Sequence, residues 1–190
     1  MHPPSPRIRL HHAFDAYAQA HRDEAATVAL FQDFLVDHAQ CFERTLAPGH
    51  FTGSAWLVSA DGRRVLLTHH RKLGRWLQLG GHADGDPDLA RVALREAQEE
   101  SGLAGLALDG EAIFDLDRHR IPARGAEPQH WHYDVRYVVR ADGDENFAVS
   151  AESLALAWRP VTEVVADTEA DDSLRRMAAK WSRRALSAGQ

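Results

Sequence analysis

The sequence of 190 residues lacks several features that would define common protein classes. It has no stretch of the roughly 18–20 consecutive apolar residues that a membrane-spanning helix needs, and no apolar run near the N-terminus that is typical of a signal peptide. Its single cysteine, Cys41, cannot form a disulfide within the chain. Internal repeats and low-complexity tracts are absent as well. We therefore expect one compact domain, located in the cytoplasm and without a membrane partner.

Lysine is also scarce, because only Lys72 and Lys180 are lysines among the 22 basic residues. The 28 acidic residues outnumber the basic ones and give a net charge of −6 with the histidines neutral. An acidic chain repels a polyphosphate backbone, so a nucleic-acid polymer is not expected as the main partner. An anionic small molecule is compatible with this charge if a metal ion or a local basic patch screens it. Arginine suits contacts with phosphate or carboxylate groups.

The N-terminal part of the chain predicts a helical extension. The first ten residues contain three prolines and predict a mobile or loosely docked arm. Residues 13–39 carry apolar side chains at spacings of three and four, which indicates two helices, the second capped by Asp23. We therefore divide the chain into an extension over residues 1–45, packed on the main domain, and the main domain over residues 46–190.

The rest of the chain combines strand patterns with two helix patterns. Ala60-Asp61-Gly62 is typical of a hairpin turn, and Gly102 is typical of the left-handed residue that ends a helix. A short strand runs into Gly80-Gly81, which we expect between the strand end and the next helix. This order predicts an α+β fold, a mixed sheet with helices packed on it. The expected strands cover residues 51–59, 64–69, 76–79, 112–119, 131–140 and 154–159, and the expected helices cover residues 88–101 and 171–186.

Three glutamates on the first of these helices form the most informative pattern. Glu96, Glu99 and Glu100 fall within about 100° on one helix face. Their repulsion and their position near the negative end of the helix dipole both destabilise the helix. A hard divalent cation, Mg²⁺ or Mn²⁺, would relieve this repulsion because such ions prefer oxygen ligands. Gly80 and Gly81 would let the backbone offer a carbonyl to the same ion. The alternative is a solvated acidic face that binds no metal.

The residues around these glutamates resemble a known motif. Gly81, Arg95, the three glutamates, Gly102 and Leu103 occur in register with the Nudix box, Gly-x5-Glu-x7-Arg-Glu-U-x-Glu-Glu-x-Gly-U, where U is bulky and apolar. The sequence therefore resembles the Nudix hydrolase family. The motif spans 23 residues, and a looser resemblance in the order of strands and helix extends over about residues 50–165.

Two positions depart from the box. Pro87 stands where the family has its upstream glutamate, and Ala97 occupies the first bulky apolar position. In the family the upstream glutamate helps to orient the box arginine, so Arg95 needs another partner. Asp86 and Asp88 flank the gap and are the candidates.

The resemblance implies an activity and a set of roles. The fold would be a Nudix-type α/β/α sandwich, and the reaction would be hydrolysis of the diphosphate linkage in a nucleoside diphosphate joined to a group X, by attack of water at phosphorus. The box arginine and the three glutamates would be catalytic, with Glu99 and Glu100 the firmest metal ligands. The general base stays open between Glu96 and a residue of a later loop, where the candidates are Glu127 and Glu152.

Residues flanking the glycine pair are candidates for contact with the substrate. His69, Arg71 and His82 could form a positive rim beside the metal, although an ordinary solvated loop would have the same composition. A histidine zinc site is conceivable, but no ligand-spacing pattern supports it. Its candidate ligands are His69, His70, His130 and His132.

A second group of candidates lies on the strand over residues 131–140 and just before it. The strand period puts His130, His132, Asp134 and Arg136 on one face, which suits the lining of a cleft and makes the two histidines and Arg136 substrate-binding candidates. The opposite face, with Trp131 and Tyr133, fits core packing better than base stacking.

Two rival functions and one assembly remain open. The isopentenyl diphosphate isomerase reaction uses the same box architecture but needs a cysteine in a motif that is absent around Cys41, which looks like an ordinary semi-buried thiol. A non-catalytic Nudix-like domain would bind a ligand or a partner, but such domains usually lose box carboxylates, which this chain keeps. A homodimer is also possible. The sequence does not identify X.

Overall fold

The computed structural model describes residues 3–71, 73–125, 127–143, 145–148 and 153–188, with the backbone alone at 153 and 185–188. The helices in this part of the chain are α1 (Pro6–Ala20), α2 (Ala25–Asp37), α3 (Leu89–Ser101), α4 (Val161–Ala166) and α5 (Asp172–Ala188), with a 3₁₀ turn at Arg22–Glu24. The strands are β1 (Gly49–Val58), β2 (Arg64–His70), β3 (Arg75–Leu77), β4 (Leu79–His82), β5 (Leu106–Leu108), β6 (Asp115–Ile121), β7 (His130–Ala141) and β8 (Ser153–Pro160). None of the helices described combines the length and the apolar character that crossing a membrane requires.

The eight strands form one mixed sheet around β1. This strand runs parallel to β7, in a register from Gly49 opposite Trp131 to Val58 opposite Arg140. Its other edge pairs antiparallel with β4 and, at its end, with β2. Antiparallel pairs then add β3 and β8 to β2, and β5 and β6 to β7. The predicted α+β class with a mixed sheet is confirmed.

Helices α1, α2 and α3 cover one face of the sheet. The ring of Phe34 on α2 stacks on Tyr133 at a centroid distance of 3.9 Å, and Phe31 meets the same ring edge-on at 5.3 Å. Helix α3 lies close to β1 because Gly53 has no side chain, and a Cβ there would lie 2.8 Å from the carbonyl oxygen of Leu89. The buried aromatic contacts are worth about 0.5–1.5 kcal/mol each beyond the area they remove from water.

Helices α4 and α5 cover the opposite face. Leu174, Met177, Ala178 and Trp181 of α5 are buried against Trp56 of β1, which confirms the apolar stripe predicted for the closing helix. The sheet therefore lies between two helical layers, in an α/β/α sandwich.

The N-terminal segment differs from the prediction of a mobile arm. Helix α1 already begins at Pro6, and the side chain of Ser5 caps it by accepting a hydrogen bond from the N–H of Ile8. Proline at the first helical position lacks only an N–H that would have no helical partner, so it starts the helix rather than breaking it. Arg7 then donates to the backbone carbonyls of Leu35 and, at 3.0 Å, of Ala39, which docks α1 on the end of α2.

Other element boundaries were predicted with mixed success. The turn before β2 is confirmed, with Gly62 at a φ of 69° and its N–H bonded to the carbonyl of Ser59 at 2.8 Å. The Asp23 cap is wrong, because Glu24 precedes α2 and makes no side-chain capping bond. The single strand expected over residues 76–79 is two strands, β3 and β4. The short β5 and α4 were not predicted.

A buried charge cluster joins both ends of the described chain to the sheet. The carboxylate of Asp115 accepts hydrogen bonds from Arg136 at 3.1 Å, Arg176 at 2.8 Å and Lys180 at 2.7 Å. Lys180 also donates to the hydroxyl of Tyr17 on α1 at 2.6 Å. Burial alone raises the pKa of Asp115, but the hydrogen bond from Arg176 and the surrounding cations outweigh it and lower that pKa below its ordinary value.

Candidate active site

Helix α3 carries the box and is fixed at both ends by local sequence. The side chain of Asp88 caps its start by accepting from the N–H of Arg91 at 3.1 Å, and Gly102 ends it with a φ of 66°. The predicted C-terminal cap is therefore confirmed. The face of α3 that packs on the sheet consists of small and apolar residues, namely Leu89, Val92, Ala93 and Ala97.

The glycine pair lies within β4, not between a strand end and the helix as predicted. Both Gly80 and Gly81 are paired with β1. The turn before α3 uses Asp84 and Gly85 instead, at φ values of 49° and 84°. The sheet therefore holds the backbone of both glycines in place opposite the box helix.

The box glutamates take different positions around this strand. Gly81 leaves room for Glu96, since a Cβ at position 81 would lie 2.6 Å from the carboxyl carbon of Glu96. The Oε1 atom of Glu100 accepts the N–H of Gly80 at 2.8 Å. The Glu99 side chain lies at the outer edge, with 65% of its surface exposed. The structure thus brings Glu96 and Glu100 directly to the β4 backbone and leaves Glu99 beside them in solvent.

Arg95 joins α3 to β4 through its guanidinium. Its Nη2 atom donates to Oε1 of Glu96 at 2.8 Å and to the carbonyl of His82 at 3.1 Å. The bond to Glu96 raises the pKa of Arg95, which keeps it charged. The arginine therefore holds the Glu96 carboxylate in one orientation.

Neither of the two candidate partners of Arg95 forms a hydrogen bond or ion pair with it among the described residues, although the charge of Asp86 helps to raise the pKa of Arg95. Asp86 accepts two hydrogen bonds from Arg91, at 2.9 and 2.7 Å, and Asp88 caps α3. Pro87 cannot orient Arg95 as the family's upstream glutamate does. The backbone carbonyl of His82 and the carboxylate of Glu96 accept the hydrogen bonds of Arg95 instead.

This donor set fits a hard divalent cation. The carboxylates of Glu96 and Glu100 both lie against β4, Glu99 lies beside them in solvent, and the carboxylate of Glu96 fills the space that a side chain at Gly81 would need. Oxygen donors of this kind are the ones that Mg²⁺ and Mn²⁺ prefer.

Four histidines gather on the other side of β4. Strand alternation turns the His82 side chain away from the Gly81 side, toward His50, His130 and His132, with ring centroids 4.8 to 5.2 Å apart. Burial lowers the pKa of His50 to about 3 and that of His132 to about 2, so both imidazoles are neutral at pH 7. We call these four residues the histidine cluster. It contains three of the predicted substrate-binding candidates.

His50 was missed by the sequence analysis. It lies opposite His132 in the parallel pairing of β1 with β7, about eighty residues apart in the chain. No local spacing signals such a contact. The only available hint was a histidine directly before an apolar strand.

The other candidates lie away from the box. His69 contacts the ring of Trp76 at 5.2 Å and lines a cavity of about 210 Å³ beside α4 and α5. Arg71 lies in the exposed turn after β2. The carboxylate of Glu127 lies 3.8 Å from Nε2 of His130, at the rim of the histidine cluster. Glu152 lies outside the described residues.

Arg136 is buried, with 2% of its side chain exposed. It forms ion pairs with Asp134 at 2.7 Å, Asp115 at 3.1 Å and Asp117 at 3.4 Å. Its donors face protein carboxylates rather than a cleft, so we assign Arg136 a structural role in place of the predicted contact with substrate. On the opposite face of β7, the predicted core position of Tyr133 is confirmed.

Comparison with known proteins gives one family. The family model described as the NUDIX domain matches residues 50–181, more than half of the chain. The search of curated proteins found no sequence that matches this chain.

Several solved structures share the fold. The Ap4A hydrolase of C. elegans, in a binary complex, is 16% identical with a TM-score of 0.57, and the match covers 74% of this chain and 98% of that chain. The dihydroneopterin triphosphate pyrophosphohydrolase of E. coli is 17% identical with a TM-score of 0.54, over 67% and 91% of the two chains. The NUDIX domain of Shewanella oneidensis NrtR, complexed with ADP ribose, is 22% identical with a TM-score of 0.50, over 81% and 97%. At these identities the likeness is one of fold.

Proposed function

Because this chain belongs to the Nudix family of pyrophosphohydrolases, we propose that it hydrolyses a nucleoside diphosphate joined to a group X, with Mg²⁺ or Mn²⁺ as the cofactor. The observation that carries the proposal is the contact of Glu96 and Glu100 with the two glycines of β4. A solvated acidic helix face would not require glycine opposite one carboxylate and a strand N–H bonded to another. Both contacts support the proposal that the box is a binding site and not a solvated acidic helix face.

Each box residue has a role in this proposal. When bound, a divalent cation supplies positive charge against the diphosphate and lowers the pKa of water. Glu96, Glu99 and Glu100 provide the carboxylates that hold it, and Arg95 orients Glu96 through their 2.8 Å bond. Because Gly81 has no side chain, this carboxylate can lie close to the strand.

The general base stays open among Glu96, Glu127 and Glu152, of which Glu152 lies outside the described residues. Glu96 lies within the box and is held by Arg95, whereas Glu127 lies 3.8 Å from His130 on the other side of β4. We favour Glu96 because it shares the site with the other carboxylates.

The substrate is proposed as a small anionic molecule. The solved neighbours are described as acting on Ap4A or dihydroneopterin triphosphate or as binding ADP ribose, so these three compounds begin the screen. Nucleotide sugars, coenzymes and nucleoside triphosphates complete it. Of the predicted substrate-binding residues, we keep His82, His130 and His132 in the proposal for substrate contact. His69 and Arg71 also stay in it, although they lie farther from the box. The cytoplasmic location, the homodimer and the division of the chain at residue 45 stay predictions.

The decisive experiment compares Glu100→Gln with the parent protein on a verified substrate. Glutamine keeps an oxygen that can accept the Gly80 N–H, so the fold should be retained while one negative metal ligand is lost. We expect Mg²⁺-dependent release of phosphate or a nucleoside monophosphate to fall about 10²–10³-fold, the usual effect of removing one electrostatic group from an active site.

The matched control is Glu111→Gln, at an exposed position outside the box. It makes the same chemical change and should leave turnover within about twofold of the parent, as expected of a surface position. Equal turnover by Glu100→Gln and the parent would refute the metal assignment. Tight binding of a compound without any turnover would favour a non-catalytic domain.

A further inference from the structure

We propose that His50, His130 and His132 form a binding site for a borderline divalent transition-metal ion such as Zn²⁺, separate from the carboxylates of the box. One ring nitrogen from each of the three lies within 4.8 Å of the others. Imidazole nitrogen is a preferred ligand of Zn²⁺ and a poor one for Mg²⁺. Binding of this ion does not require the proposed hydrolysis, but it would occupy two of the histidines, His130 and His132, that are proposed above for contact with substrate.

The geometry of two of these ligands matches one metal ion. The Nε2 atoms of His130 and His132 are 3.3 Å apart. Two imidazole ligands on a tetrahedral Zn²⁺, each at about 2.0–2.1 Å, are separated by about 3.3–3.4 Å. The two side chains therefore already stand at the spacing of neighbouring ligands.

The tautomer of His130 is also the one that a metal needs. Its Nδ1 atom lies 2.9 Å from the carbonyl oxygen of Pro128, which can only accept a hydrogen bond, so Nδ1 carries the proton. In the neutral ring the Nε2 lone pair then points at His132. Backbone carbonyls commonly orient metal-bound histidines in this way.

His50 supplies the independent sign that something is bound here. His50 exposes only 1% of its surface, yet neither of its ring nitrogens has a hydrogen-bond partner. Buried polar groups in proteins nearly always have a partner, and a shared ion would give one to this imidazole. Since His50 lies on β1 and the other two on β7, the ion would join these two paired strands.

Two neighbouring side chains lie close enough to supply a fourth ligand to such an ion. The ring of His82 lies 5.0 Å from His50 and 5.2 Å from His132, and Glu127 lies 3.8 Å from the Nε2 of His130. Either side chain, or water, could complete a tetrahedron around three protein ligands.

The test begins with the full chain freed of metal by a chelator. Zn²⁺ is added in competition with a chromophoric chelator and in the presence of excess Mg²⁺, which occupies sites that prefer oxygen. We expect one equivalent of Zn²⁺ to bind. X-ray absorption at the zinc edge should show imidazole nitrogen ligands at about 2.0–2.1 Å.

Four variants locate the site. His132→Gln and His50→Phe should each weaken Zn²⁺ binding at least about 10²-fold, because each removes one of three ligands. His12→Ala, at an exposed histidine of α1, should bind as the parent does. Glu100→Gln should also retain the Zn²⁺, since the box lies on the other side of β4. Circular dichroism checks that each variant is folded, and the less buried His132 serves if the His50 variant is not.

Three results would overturn the proposal. These are no Zn²⁺ binding by the parent protein, parental affinity in a folded His132→Gln variant, and loss of the ion in Glu100→Gln rather than in the histidine variants. The last two would place the ion elsewhere in the molecule.

Discussion

Replacement of Gly81 by alanine separates the catalytic role of this position from its structural one. The added Cβ would lie 2.6 Å from the carboxyl carbon of Glu96, at the far end of a flexible side chain. The carboxylate can swing away from the methyl group without moving any backbone. We therefore expect the fold to tolerate the change and the box to lose its arrangement.

The size of the effect follows from the distance. Ordinary carbon contacts begin at about 3.4 Å, so the Glu96 carboxyl carbon must retreat by about 0.8 Å. A displacement near 1 Å at a reacting centre can cost about 10²-fold in rate, or roughly 2.7 kcal/mol of transition-state stabilisation. The same movement lengthens the 2.8 Å bond from Arg95.

The neighbouring glycine provides the contrast. A Cβ at Gly80 would lie 2.7 Å from the Cβ and 2.8 Å from the Cα of Ser54, which are held by the sheet. Gly80→Ala should therefore cost about 1–3 kcal/mol of stability through overpacking. Gly143→Ala is the neutral control, because a Cβ there has no described atom within 4 Å.

The assay combines steady-state kinetics on a verified substrate with thermal unfolding of the three variants. We expect Gly81→Ala to lose rate with little change in Tm, Gly80→Ala to lose Tm, and Gly143→Ala to change neither. If Gly81→Ala turned over substrate at the parental rate, the Glu96 carboxylate would not need its present position. A large loss of Tm in Gly81→Ala would show that the contact is not flexible.

Two further predictions concern residues away from the box. Cys41 is fully buried, and burial raises the pKa of its thiol, so the thiol is not activated as a nucleophile. Cys41→Ala should therefore keep activity within about twofold and cost about 1 kcal/mol of stability. Near-complete loss of activity in the folded variant would favour the isomerase chemistry. Asp115→Asn should cost about 3–5 kcal/mol at pH 7, because it leaves cations buried without their partner. The pKa of Asp115 is lowered in the folded protein, so its contribution is fully present above about pH 4 and declines as the pH falls further. The difference in unfolding free energy between Asp115→Asn and the parent should therefore shrink below pH 4, and a constant difference down to pH 3 would contradict this account.

The box and its helix were predictable because their signals are local. Asp88 and Gly102 mark the ends of α3 by capping chemistry, and the spacing of the glutamates fixes their common face. Arg95 was identified as a box residue, but its acceptor was not, since the carbonyl of His82 lies on a strand that only the folded chain brings near. Every residue has a backbone carbonyl, so the sequence does not show which one will accept a particular hydrogen bond.

The errors have physical causes as well. Pro6 was interpreted as part of an arm because proline usually ends regular structure, whereas here Ser5 makes it the first residue of a helix. Arg136 was predicted to line a cleft from alternation alone, which gives the face of a strand but not what covers that face. The carboxylates that bury it come from β6 and from its own strand.

The position of the N-terminal helices bears on how the domain could be shortened or exchanged. The family match begins at residue 50, which makes the preceding segment look dispensable. Yet α1 and α2 cover the aromatic rings of Phe51 and Tyr133. In addition, Glu24 forms an ion pair with Lys180 of α5, and the hydroxyl of Tyr17 accepts a hydrogen bond from it. A fragment that began at residue 50 would expose the apolar side chains of Phe51 and Tyr133 to water and would leave Lys180 with Asp115 alone of its three partners. A shortened or chimeric version of this domain should therefore keep both N-terminal helices rather than begin where the family match begins.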